Sequence, residues 1–346
     1  MVDNPDYSLY RLAMNPFCNF ALDPLKVRGS DRQFVAAEGF PKDETLDNRL
    51  KSTVKQHKPK PAFFLVAGKS GSGRSSVANL ILARYAAQLG VPGELLFIPK
   101  YDFNPKAEDS VQGLGRDSCD IFRAWFGDLQ NLIDDAKIKL GDELEKLFSE
   151  TLNNLTNQNM AYSLQRLAKR VAEALANLLD KATGTISTPA AYGLLFEDVP
   201  TVEIIEDAFL IFKGVPVTCV FTTRNYDKKV DGDDIIGKFL ANPGPFQEVI
   251  TLYPVGATEV SNVVHSRWKS ACEVLDPLPF DPDEVGMVFG RPPRTIAQAL
   301  SIMGELIGWK LRQQSGKSPW PDNDELRITR KQMEDIYPIL ERLYGS

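Results

Sequence analysis

Gly68, Gly71 and Gly73 punctuate the stretch Gly68–Lys69–Ser70–Gly71–Ser72–Gly73–Arg74–Ser75–Ser76, whose composition suits presenting backbone N–H groups to an anion. Glycine reaches left-handed backbone angles that other residues avoid, so successive amides can point at one phosphate chain. The spacing follows G-x-x-x-x-G-K-[ST] except at one position, where Arg74 replaces the lysine. Arginine keeps the positive charge but spreads it over a bulkier planar fork. Nucleotide binding is therefore expected to survive and phosphoryl transfer to slow. Ser75 is placed to put its hydroxyl on a magnesium ion, and Lys69 offers either a second cation or a solvated loop charge.

Three other groups extend this chemistry. Glu197–Asp198 closes the apolar run Ala191–Phe196. In such a pair one carboxylate holds magnesium and the next polarises the attacking water. Glu197 is the expected metal approach, and Asp198 the shorter activator. The plainer alternative is a pair of strand-end acids capping the next helix. Thr222–Thr223–Arg224–Asn225 ends a further apolar run, where Arg224 or Asn225 can sense a γ-phosphate or simply make a turn. Arg294 follows Gly290–Arg291–Pro292–Pro293 at a helix start, where the dipole does not favour positive charge. Arg291 and Arg294 can simply be solvated there, but that disfavour points to a task for Arg294 at the phosphates.

These groups need elements to hold them. Apolar runs over 62–67, 94–99, 191–196, 215–222 and 248–253 read as five strands separated by helical stretches. The expected fold is α/β: a five-stranded parallel P-loop sheet with helices on both faces, plus a C-terminal helical lid. Such sheets bind ligands at the carboxyl ends of their strands, where all the candidate polar groups fall. The expected domains are an N-terminal extension over 1–60, a core over 61–255 and a lid over 256–346. The extension holds Asn15–Pro16–Phe17 and is expected to pack on the core. The core carries a helical insertion at about 117–182, with a stripe from Met160 to Leu179 that reads as core or helix contact. In the lid, Val260, Val263, Val264 and Trp268 share one face and Ile296, Leu300, Met303 and Ile307 another, with a last helix from Leu326 to Tyr344.

Composition narrows the class. A chain of 346 residues with 43% hydrophobic content is long enough for two cores. A net charge of −6 gives no support to general nucleic-acid or membrane attraction. There is no apolar run of membrane length and no leader pattern at Met1, which suits a cytoplasmic protein. Cys18, Cys119, Cys219 and Cys272 are widely spaced and read as reduced thiols. His57 and His265 are too few for a histidine metal site, so magnesium carried by a nucleotide is the one metal expected.

In their order, these motifs resemble the AAA+ and STAND group of P-loop NTPases. Gly68–Ser75 resembles their Walker A, Leu194–Asp198 their Walker B with the acid order reversed, Phe221–Arg224 their sensor 1, and Gly290–Arg294 the sensor 2 region opening a lid helix. Asn15–Pro16–Phe17 is loosely similar to the segment before the P-loop in the ExeA and transposon-regulator branch. The resemblance implies an ATP- and magnesium-binding switch with slow or partner-stimulated hydrolysis, working as a homo-oligomer or on a protein partner. No arginine lies between Arg224 and Arg267 to act as a finger on a neighbouring subunit. Two alternatives stand beside the switch. Ser70–Ala78 is also similar to the loop of uridine-kinase-like small-molecule kinases, and Arg74 with the reversed acids suits a nucleotide-binding scaffold without turnover.

Overall fold

The computed structural model describes residues 5–27, 29–35, 46–48, 50–51, 61–89, 96–97, 100–103, 191–212, 218–224, 234–241, 246–272, 277–314 and 318–344, with isolated positions at 131, 142 and 146. The insertion at 117–182, its stripe, Cys119 and Asn225 lie outside this description, apart from those three positions. The chain divides into two compact units. One comprises Pro41–Gly68 and Val77–Thr251; the other comprises Met1–Phe40, Lys69–Ser76 and Leu252–Ser346.

The first unit is built on a parallel sheet. Its strands are β1 (Ala62–Gly68), β2 (Leu96–Phe97), β3 (Lys100–Asp102), β4 (Ala191–Glu197), β5 (Thr218–Thr223) and β6 (Gln247–Leu252). β2 and β3 lie in one register along the same edge of β4, so the sheet is five strands wide in the order edge, β4, β5, β1, β6. Every residue of β1 and β5 is buried, as expected of strands covered on both faces. Thr218 pairs with Ala62 on one side and Gly193 on the other, so alternate residues share a face across three strands.

One face packs on the helix that follows β1, α1 (Arg74–Leu89). A Cβ at Gly193 would run into the end of the Leu82 side chain of that helix, so glycine allows the approach without a shift of Leu82. The opposite face packs on α2 (Val202–Phe212) and α3 (Ile235–Ala241) through an aromatic layer. Phe63 lies 4.1 Å from Phe209, Phe221 stacks on Phe196 at 4.9 Å, and Phe239 closes on both Phe209 and Phe221.

The helical unit contains α4 (Ala257–Ala271), α5 (Pro282–Phe289), α6 (Ile296–Arg312) and α7 (Arg330–Tyr344). Asp281 caps α5 ahead of Pro282, and Thr295 with Gln298 forms a capping box on α6. Val260, Val263, Val264 and Trp268 are buried together, as are Leu300, Met303 and Ile307. The N-terminal extension sends its aromatics here: Tyr10 lies 5.5 Å and Phe17 6.2 Å from Trp268, and Tyr10 donates to the Leu326 carbonyl. The last helix begins at Arg330, later than the apolar pattern suggests, because Asn323 caps a separate 3-10 turn over Asp324–Leu326. Thr329 and Gln332 then exchange hydrogen bonds that set the new start. Cys219 and Cys272 are buried thiols outside any disulfide, and Cys18 is half-buried. Among the described residues no helix is long and apolar enough to cross a membrane.

Candidate nucleotide-binding site

β1 delivers the chain to the glycine loop. Gly71 and Gly73 hold φ of 79° and 93°, the left-handed region that favours glycine. Lys69 and Ser70 are exposed, while Ser72 is buried with no hydrogen-bond partner for its Oγ among the described residues. A buried hydroxyl without a partner is costly unless something supplies one. Arg74, Ser75 and Ser76 form the first turn of α1, whose N–H groups lack helical acceptors and whose dipole is positive there. Arg74 is buried and Ser75 half-buried; the Ser76 hydroxyl accepts the Leu22 N–H at 2.9 Å.

A second element holds the loop. The Ala297 N–H in the first turn of α6 donates to the Gly71 carbonyl at 2.9 Å. A Cβ at Gly71 would stand 2.8 Å from the Ala297 Cβ and 3.0 Å from the Thr295 Oγ1. This contact has no sequence signature, because it joins positions more than two hundred residues apart through a backbone bond.

The carboxyl edge of the sheet gathers the acids. Gly193, Leu195 and Glu197 alternate onto the face that receives α1, so Glu197 points to the side of the helix that follows the loop. Its carboxylate is 8% exposed; Oε2 accepts from Lys100 Nζ at 2.6 Å, and Oε1 is buried with no partner among the described residues. Lys100 pairs with Leu195, so its stem reaches forward two positions to Glu197. Sequence reading passed over Lys100, although the polar–apolar–polar run Lys100–Tyr101–Asp102 marks an edge strand with one polar face.

Asp198 takes a different course. Its φ of 54° turns it out of the strand, its N–H donates to Thr222 Oγ1 at 2.9 Å, and its Oδ2 binds Arg224 at 2.6 and 3.1 Å. Thr223 Oγ1 donates to the Val199 carbonyl, stitching the ends of β4 and β5 together. Asp198 and Arg224 thus engage each other. β5 does lie beside the loop-bearing strand β1, as expected.

Arg294 pairs through its backbone with Val255, while its guanidinium, 4% exposed, donates to Glu341 Oε2 at 3.0 Å and to the Tyr337 hydroxyl at 3.3 Å. It also sits 5.8 Å from the centre of the Tyr337 ring. The guanidinium expected to reach phosphates is held by α7, while its neighbours Thr295 and Ala297 touch the loop. Glu341 and Tyr337 were not foreseen as partners.

No group of three or more histidine, cysteine, aspartate or glutamate side chains is gathered among the described residues as for a protein-held metal. For magnesium carried by a nucleotide the chemistry of Glu197 fits: it offers a hard oxygen, Oε1, that is buried and has no hydrogen-bond partner among the described residues.

A parallel sheet with a strand between the loop strand and the acid-bearing strand, a glycine loop entering α1 and a helical C-terminal region make this an AAA+-type P-loop NTPase fold. Among solved structures the chain is similar to the ORC1 protein of Aeropyrum pernix in complex with DNA, at 14% identity and TM-score 0.46, covering 92% of this chain and 69% of that one. It is similar to the ORC2 protein of the same organism in ADPNP–ADP complexes, at 11% identity and TM-score 0.46, covering 94% and 71%. Cdc6p from Pyrobaculum aerophilum gives 13% identity and TM-score 0.42, covering 99% and 86%. These are loose superpositions at low identity, and the fold assignment rests on this chain's own strand order and loop. No protein-family model and no curated protein sequence matches it.

Proposed function

We propose that this chain is an ATP-binding switch of the AAA+/STAND kind, with slow or partner-stimulated hydrolysis, coupling nucleotide state to self-assembly or to a protein partner. The observation that carries the reading is the loop itself. Two left-handed glycines and a buried Ser72 hydroxyl, without a partner among the described residues, stand between a buried parallel strand and the positive end of a helix. That arrangement lowers the free energy of a phosphate chain through backbone N–H groups and helix dipole together. Gly68 to Ser76 would bind the phosphates, with Arg74 neutralising charge. Magnesium, when bound, supplies positive charge to the phosphate oxygens, and Ser75 and Glu197 are the residues that would hold it.

Slow turnover follows from three residues. Arg74 stands in for a compact ammonium, Asp198 is tied to Arg224, and Arg294 is tied to Glu341. Each tie must open before the group can serve a reacting phosphate, and misplacement of such groups is expensive in rate. The same ties favour a second reading, a scaffold that binds nucleotide without turnover. Asn225 remains a candidate phosphate sensor beside Arg224. The sheet residues within 61–255 would bind, and residues 256–346 would respond. The cytoplasm is the compartment that suits such a switch.

The test is ATP binding and hydrolysis by purified protein over a concentration series, with and without magnesium, for wild type and Arg74→Lys. Hydrolysis per subunit that climbs with concentration, and about tenfold faster turnover in R74K, are the expected results. Binding without turnover at every concentration in both proteins moves the assignment to the scaffold. Absence of binding removes the reading.

A further inference from the structure

Glu197 sits in an unusual electrostatic position for a residue assigned to a divalent cation. One oxygen is already taken by the Lys100 ammonium at 2.6 Å, a short, charge-assisted contact. The other is buried and has no hydrogen-bond partner among the described residues. The ammonium reaches the carboxylate because parallel pairing sets Lys100 beside Leu195 and Asp102 beside Glu197, which puts both side chains on one face two positions apart. A lysine stem spans that gap. The two ends differ in freedom: the Lys100 side chain is 52% exposed, whereas that of Glu197 is 8% exposed. Lys100 can swing into water at little cost; Glu197 cannot follow it.

We propose that Lys100 is a resident cation that competes with magnesium for Glu197, so that nucleotide binding in this chain is only weakly coupled to the metal. The inference rests on the reading of Glu197 as the metal-side carboxylate. A buried carboxylate needs positive charge beside it, and either source of that charge satisfies it. With the ammonium in place the acid is neutralised before any metal arrives. A divalent cation then gains only the difference between its own attraction and that of the lysine it displaces or shares with. Two cations on one buried carboxylate also repel each other, which weakens the pairing further. Lys100 acts here as a positioning residue: it sets the orientation and charge balance of Glu197 and need not touch nucleotide.

Removing the ammonium should therefore tighten the link between nucleotide and metal. The experiment is equilibrium binding of ATP with excess magnesium and with EDTA, for wild type, Lys100→Met, Lys100→Arg, Glu197→Gln and the K100M/E197Q double variant. Bound Mn2+ is counted in parallel by electron paramagnetic resonance on the ADP-loaded proteins, and thermal unfolding of each variant confirms that it is folded. Wild type should lose less than about tenfold in ATP affinity on removing magnesium, and K100M should lose at least about tenfold more than wild type, a coupling of ordinary allosteric size. K100M should hold Mn2+ more tightly, K100R should behave as wild type, and adding E197Q to K100M should erase the gain. Equal magnesium dependence in folded wild type and K100M, both of which bind ATP, overturns the inference and leaves the nucleotide-switch reading intact. Failure of every folded variant to bind ATP removes that reading, and the competition built on it goes too.

Discussion

A single methyl group at position 71 would meet two obstacles at once. Gly71 has a φ of 79°, which strains any residue with a Cβ, and the new carbon would lie 2.8 Å from the Ala297 Cβ. Gly73 has a similarly left-handed φ of 93°, but the nearest atom to its added Cβ is 3.7 Å away. Strain alone costs on the order of 1–2 kcal/mol for a left-handed alanine. Gly71→Ala should therefore destabilise the chain by about 1 kcal/mol or more beyond Gly73→Ala, because the loop or the start of α6 must also give way. Urea unfolding of the two variants measures the difference. Equal losses would mean that the Thr295–Ala297 turn yields freely and does not grip the loop. The glycines themselves were readable in the sequence, since their spacing carries its own chemistry. Their contact with Ala297 was not, because a backbone hydrogen bond to a distant residue leaves no mark on side-chain type.

Strands β1, β4 and β5 announced themselves because burial on both faces demands unbroken apolar runs, and a run such as Phe63–Phe64–Leu65–Val66 has few other uses. The outer strand was less legible: its pairing with β4 occurs over Leu96–Phe97 and again over Lys100–Asp102, on both sides of Pro99, and one-sided pairing imposes a weaker pattern. Helix α7 hid its start for a different reason. Leu326 and Ile328 are apolar and buried, yet they belong to a capped turn and an extended link, so hydrophobic spacing ran past the true boundary at Arg330. Polar partners between helices were also invisible. Arg294 and Glu341 form one such pair, and Glu341→Ala should cost about 2–4 kcal/mol by leaving a buried guanidinium without its carboxylate. Arg294→Met should cost less than that, since it removes the buried charge instead of stranding it; the reverse order in chemical denaturation would disprove the tie. Lys310 on α6 makes the same kind of contact, donating to Gln332 at 3.3 Å from a buried position. Burial pulls its pKa below the ordinary lysine range. Between its folded and unfolded pKa values the unfolded chain binds more protons, so stability rises with pH across that window and is lost as pH falls through it. Lys310→Met should flatten this alkaline rise without lowering stability near neutrality by more than about 1 kcal/mol. Unfolding midpoints taken from neutral to alkaline pH decide it, and an unchanged slope would mean that Lys310 keeps its ordinary affinity for protons.

The partition of the molecule gives the loop a double allegiance. By chain continuity Lys69–Ser76 extends β1, yet by its packing it clusters with the N-terminal and C-terminal residues. Two hydrogen bonds join the loop to those residues: Ala297 N–H to the Gly71 carbonyl, and Leu22 N–H to the Ser76 hydroxyl. A phosphate chain bound by the loop would thus order a segment that is hydrogen-bonded to α6 and to the N-terminal extension. Ligand binding stabilises whatever must be folded for the ligand to bind, by about 2.7 kcal/mol at a hundred times the dissociation constant. Saturating ATP should therefore slow amide exchange at Thr295–Ala299 and near Leu22 as well as along Lys69–Ser76, with the gains at Ala297 and Leu22 weakened by Gly71→Ala and by Ser76→Ala respectively. Hydrogen-exchange mass spectrometry with and without nucleotide reads all three segments in one experiment. Protection confined to Lys69–Ser76 would show that the two bonds break or idle when phosphate arrives. A switch of this kind would then have to signal through the sheet edge, where Lys100, Glu197, Asp198 and Arg224 already form two linked ion pairs at adjoining strand ends.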